Sequence, residues 1–216
     1  QEYYDNICRL AYDNNFAVAT HCIGDSANRL MLDTYAQFLK GKNDRRWRIE
    51  HAQIIHPDDI EKFARFSIVP SVQATHATSD MYWADERLSE KRLRNGSYAY
   101  QTLLQQNGWL PNGTDFPVEN IEPLFTFYAS VFRIDHKGWP EGGFLKKEGL
   151  NREQALRSVT IWPAKASFEE HEKGSLEPGK WADFVILNTD LMTASPQDVL
   201  NATIESTWIA GEIVHP

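Results

Sequence analysis

Two histidines and an aspartate occupy comparable places in this sequence. His21 follows Phe16-Ala17-Val18-Ala19-Thr20, His51 follows Trp47-Arg48-Ile49-Glu50, and Asp115 follows Trp109-Leu110-Pro111-Asn112 by way of Gly113-Thr114. The first two runs read as short strands; the third is a poor strand by propensity. About one strand and one helix separate His21 from His51, which is the spacing of neighbouring strands in a parallel βαβ series. Side chains at the carboxyl ends of such strands converge on one face of a (β/α) barrel. Two imidazoles and a carboxylate gathered there form a metal site of borderline hardness.

The elements that must do this positioning are legible in outline. A helical period runs through Tyr4, Ile7, Cys8 and Ala11. After His21 a long amphipathic helix carries Leu30, Tyr35, Phe38 and Leu39, with Gly41 placed to stop it. Pro57-Asp58-Asp59 opens another helix, with proline in the first turn and acids at the positive end of the dipole. Ser67 to Gln73 reads as a strand containing a proline. Residues 75–90 read as a long loop, 96–106 as a helix, and the aromatic-rich stretch after Asp115 as another loop. Asn151 caps a helix expected to reach Ala166. Strand alternating with helix implies a parallel α/β architecture. After Gly174 the pattern changes: 181–187, 202–209 and Ile213-Val214 read as strands with no long helix between the last two, an antiparallel β module. The expected division is therefore a partial barrel over 1–166 and a small β-sandwich portion over 167–216.

Composition narrows the class. The chain has 216 residues, a formal net charge of -8, and seven Trp with eleven Phe to fill a core. The negative charge speaks against a phosphate-tracking surface and for small-molecule chemistry, with no nucleic-acid partner. No apolar run reaches the ~18 residues of a membrane span, so no membrane partner is expected. Cys8 and Cys22 make no disulfide framework and no zinc-type CxxC pair, so a metal must sit on histidine and carboxylate. They point to a reducing, cytoplasmic setting or to at most one bridge. The chain opens at Gln1 directly into a helical pattern, which suggests the interior of a longer protein.

Several strings together resemble a known family. His21-Cys22-Ile23-Gly24-Asp25-Ser26-Ala27, Arg48-Ile49-Glu50-His51-Ala52-Gln53 and Gly113-Thr114-Asp115-Phe116-Pro117-Val118-Glu119 look like the fifth-, sixth- and eighth-strand motifs of the amidohydrolase superfamily. Val72-Gln73-Ala74-Thr75-His76-Ala77-Thr78-Ser79-Asp80 resembles the seventh-strand segment of amidohydrolase family 3, the N-substituted-formamide-deformylase-like branch, with Ala74 in place of a proline. Gly174 to Asp183 is similar to the lead-in to that family's C-terminal sandwich strands. The resemblance implies the C-terminal half of a (β/α)8 barrel, strands five to eight, and a metal-dependent hydrolase of amide or other non-peptide C–N bonds. It implies that His21 and His51 ligate a divalent metal, usually zinc, one or two per intact enzyme; in one-metal members the sixth-strand histidine, here His51, instead contacts the substrate or bound water. Asp115 would ligate the metal too and take a proton from the attacking water. A metal makes water acidic and polarises a carbonyl, and a nearby carboxylate can accept the proton and pass it to the leaving amine. The family's first-strand His-x-His pair and fourth-strand Lys or Glu are absent here, so the chain alone is expected to be catalytically inert.

Each residue also has a plainer reading. His21 and His51 taken singly could be half-buried structural histidines, and Asp115 a turn residue. His76 could line the substrate pocket or simply bond to backbone. Glu50 could support the metal or be a structural carboxylate; Asp25 reads as a helix-start cap. Arg87 and Arg133 could grip a substrate carboxylate, though surface ion pairing is the plainer role. Cys22 should point away from its neighbour His21 into the core. The competing enzyme reading is a metal-independent barrel glycosidase using Glu50 and Asp115, which needs two carboxyls roughly 5–10 Å apart; the non-enzymatic one is a scaffold remnant. Exposed strand edges leave a homo-oligomer open.

Overall fold

Helix α1 (Glu2–Asp13) precedes strand β1 (Ala19–Cys22), and helix α2 (Asp25–Leu39) returns the chain to β2 (Arg48–His51). A 3-10 turn at Pro57–Asp59 leads into α3 (Ile60–Phe66), then β3 (Val69–Ser71). The three strands are parallel in the order β1-β2-β3, with Cys22 beside His51 and Glu50 beside Ser71. The computed structural model describes all residues, 1–216, and divides them into two compact units. The first comprises 1–73 and 79–111; the second comprises 74–78 and 112–216.

In the first unit the parallel βαβαβ arrangement is an unclosed portion of a (β/α) barrel. Its core forms because α2 buries Asn28, Met31, Leu32, Tyr35 and Leu39, spaced at helical intervals along one face. Tyr35 meets the fully buried Trp47 edge-to-face at 5.1 Å. Its hydroxyl lies 2.6 Å from the Thr20 hydroxyl and donates to the Arg48 carbonyl, tying helix to both strands. α2 ends at Leu39, two residues before the expected glycine, and Lys40 takes the left-handed turn, with φ 59°.

The stretch 75–90, expected to be a loop, is helical. It holds α4 (Ala74–Asp80), α5 (Ala84–Arg87) and the start of α6 (Glu90–Arg94), which Ser89 caps by accepting from the Arg92 amide. Each is too short to display a period. α7 (Tyr100–Asn107) begins later than expected because 96–98 bond to the segment after β2: Gly96 accepts from the Ile55 amide and Tyr98 donates to Gln53. Trp109–Asn112 forms no regular strand. Pro111 has no N–H to give, and only its carbonyl engages β3's continuation, accepting from the Val72 amide at 2.9 Å.

The close approach at Gly96 predicts a large local effect. Its φ is +146°, and a Cβ there would lie 1.9 Å from the Ile55 carbonyl oxygen. Gly96→Ala should cost about 2–5 kcal/mol in strain and overpacking, read as a fall in the urea midpoint. An unchanged midpoint would show that this contact is not maintained.

In the second unit, α8 (Pro123–Phe132) replaces part of the expected aromatic loop. Its residues from Thr126 to Val131 are all buried, so no polar face marks it in the sequence. α9 (Arg152–Ser158) starts at the expected Asn151, in a full capping box with Gln154. The helix does not run on to 166. It breaks at Val159 and Thr160 and restarts as α10 (Ile161–Ala166), so that Pro163 falls in a first turn where its missing N–H costs nothing. β4 (Phe184–Leu187), α11 (Pro196–Leu200), β5 (Ile204–Ile209) and β6 (Glu212–His215) follow. The strands form an antiparallel β4-β5-β6 sheet, as the sequence pattern implies. Phe184 stacks on Trp208, and Ala210-Gly211, both at positive φ, make the tight turn.

Candidate metal centre

His21 lies within β1 and His51 is the last residue of β2. Parallel pairing sets them one register position apart, and their rings meet edge-to-face at 4.3 Å between centroids. His51 Nε2 is 2.8 Å from His21 Nδ1, and His51 Nδ1 is 2.8 Å from Gln73 Oε1. The turn out of β2 is unusual: His51 and Ala52 have φ of 74° and 44°. Two successive non-glycine residues in that region hold backbone strain, a feature concentrated at functional sites.

Asn28 on α2 fixes the chain beyond both strands. Its Nδ2 lies within hydrogen-bond distance of the carbonyls of Gly24, Cys22, Ile54 and Ile23, at 2.9, 3.0, 3.2 and 3.3 Å. Asn28→Leu removes that donor from a buried set of acceptors and should cost about 1–3 kcal/mol, measured by denaturant unfolding. A loss under ~0.5 kcal/mol would mean the carbonyls find other donors.

Cys22 faces away from His21, as strand alternation requires, and is buried as a free thiol. Burial pushes its pKa up to about 12. The thiol should resist iodoacetamide at neutral pH in the folded protein and react after unfolding, as read by mass spectrometry. Rapid native-state alkylation would contradict this.

In the second unit, buried Asn112 connects three elements. Its Oδ1 accepts from the Ala74 amide at the start of α4, and its Nδ2 donates to Ser130 of α8 and toward Ser158 of α9. The chain then reaches Asp115, again at positive φ, 58°. The following turn, with Val118 N donating to Asp115 O, brings Glu119 back onto the same side. His76 on α4 sits between the two acids, its Nε2 3.1 Å from Asp115 Oδ2 and its Nδ1 3.1 Å from Glu119 Oε1.

Each unit therefore presents donors suited to a divalent cation: two imidazoles in the first, an imidazole and a carboxylate in the second. The sequence-level residues fall into these two groups, His21 with His51 and His76 with Asp115. Sequence reasoning missed Gln73 and Glu119 as their partners. Gln73 stands just past β3 in the same strand-end position that singled out the histidines. Glu119 is four residues after Asp115, the spacing of one helical turn.

The remaining expectations meet the following surroundings. His76 is in a buried helix, not a loop. Glu50 pairs with Arg48 at 2.5 Å. Asp25 is the first helical residue, after the Gly24 cap, and pairs with Arg92 at 2.7 Å. Arg133 is fully buried, not a surface partner; its Nε donates to the Phe144 carbonyl. An open groove of about 930 Å³ in the second unit, lined by residues such as Leu156, Ile161, Leu176 and Phe184, includes neither His76 nor Asp115.

Comparison with known proteins gives this arrangement a context. The chain is 38% identical over its whole length to Protein LONG AFTER FAR-RED 3 of Arabidopsis thaliana, covering 37% of that protein. It is 25% identical to the N-substituted formamide deformylase of Arthrobacter pascens over 90% of this chain and 35% of the relative. The chain thus spans little more than a third of these curated relatives. An uncharacterized metal-dependent hydrolase from Pyrococcus horikoshii superposes with a TM-score of 0.78 at 31% identity, over 90% of this chain and 38% of the other. No helix here is long and apolar enough to cross a membrane. The family profile covers residues 1–215, and on that match the chain belongs to the Amidohydrolase family.

Proposed function

We propose that the whole protein is a metal-dependent hydrolase of amide, N-formyl or similar C–N bonds, and that this chain supplies His21, His51 and Asp115 to its metal site. The observation that carries the reading is the facing pair His21 and His51, ring nitrogens 2.8 Å apart at the ends of adjacent parallel strands. Neutral imidazole nitrogens are good donors to zinc, the metal we favour, and Asp115 adds a hard oxygen. When bound, the metal supplies Lewis acidity toward a carbonyl and toward water.

The chain's own residues do the rest. Asp115 takes a proton from the attacking water and returns it to the departing amine. His76 donates to the Asp115 carboxylate, orients it, and borders the substrate. A small-molecule substrate, a cytoplasmic setting and a homo-oligomer complete the proposal. The 216-residue chain alone, which has no His-x-His pair, is expected to be inactive.

The test is metal analysis of the purified full-length protein together with hydrolysis of a panel of N-formyl and N-acyl amines. Stoichiometric zinc and turnover that stops on chelation support the reading. A metal-free protein that hydrolyses glycosides instead would overturn it.

A further inference from the structure

We infer that Gln73 is a positioning residue that sets which nitrogen His51 presents to the metal. The inference rests on the proposed role of His51 as a ligand. His51 is buried at 8% exposure, and its Nδ1 faces Gln73 Oε1 at 2.8 Å. A carboxamide oxygen only accepts, so the ring must carry its proton on Nδ1. Nε2 then bears the lone pair, and that nitrogen points at His21, 2.8 Å away. In the metal-free protein His21 Nδ1–H therefore donates to His51 Nε2.

Gln73 is itself held firmly. Its carbonyl accepts from the buried Tyr100 hydroxyl at 3.0 Å, and the preceding Val72 amide is bonded to Pro111. These contacts belong to the backbone, so replacing the side chain leaves them in place. The left-handed backbone at His51 does not by itself fix where the imidazole turns. A hydrogen-bond partner on the far ring nitrogen is the usual means of fixing both tautomer and orientation in a metal-ligating histidine.

The experiment uses the full-length protein labelled with 15N-histidine, with His51 signals assigned by their loss in His51→Asn. Long-range 1H–15N spectra of the metal-free protein should show His51 protonated on Nδ1. The apolar near-isostere Gln73→Met should move the proton to Nε2; Gln73→Glu, which keeps an acceptor oxygen, should not. Zinc affinity, measured by competition with a chromophoric chelator, should fall about 10–100-fold in Gln73→Met and recover in Gln73→Glu. Nε2 protonation in the wild type, or equal zinc affinity in Gln73→Met, would overturn the inference. Failure of the wild type to take up zinc overturns the ligand assignment itself and is seen before any variant of Gln73 is made.

Discussion

Asp115→Asn in the full-length protein should lower kcat about a thousandfold on an N-acyl substrate while leaving KM within a few-fold, since a positioned acid–base group contributes ~10²–10⁴ in rate. Asparagine fills the same volume and keeps one oxygen to accept from His76, 3.1 Å away in the native protein. The His76 ring should therefore stay where Glu119 and residue 115 hold it. What asparagine loses is the capacity to receive a proton from water and return it to the leaving nitrogen. The effect belongs in kcat because that proton moves only during the reaction. Steady-state kinetics with circular dichroism to verify folding reads it. A variant that retains more than a tenth of the wild-type kcat would remove Asp115 from the proton path.

The legibility of this site follows from which interactions are local. His21 and His51 could be read because each follows a short run that reads as a strand, and parallel pairing then brings the two ends together. The antiparallel β4-β5-β6 sheet was legible for the same reason: its strand-like runs are features of sequence neighbours. Gln73 and Glu119 were not, because a strand-end position or a one-turn spacing places a side chain without saying what it bonds; the partner is 22 residues away for one and 43 for the other. Helix α8 was hidden by the completeness of its burial, and α4 to α6 by their shortness. Arg133 was misread as a surface cation because burial of a guanidinium depends on a carbonyl, that of Phe144, held in place by a distant turn. The break between α9 and α10 was signalled by Pro163, two residues after the point where helix resumes.

Removal of metal should have the other large effect. Prolonged dialysis of the full-length protein against a chelator is expected to reduce turnover at least about a thousandfold, since a metal ion contributes several kcal/mol of charge stabilisation to such reactions. Zinc or cobalt added back should restore it. His51→Asn should reproduce the loss without a chelator. It removes the nitrogen that faces His21 and leaves the amide of asparagine, a much poorer donor to zinc. The left-handed backbone at residue 51 tolerates asparagine better than most residues, so the strand end at β2 should survive the change. Bound metal measured by mass spectrometry should fall with activity across His21→Asn and His51→Asn. For Asp115→Asn the two should separate, activity falling further than metal content, because that carboxylate is proposed to serve both the metal and the proton. Full turnover in protein stripped of metal, or in His51→Asn, would show that the facing histidines are a structural pair and that hydrolysis is organised elsewhere.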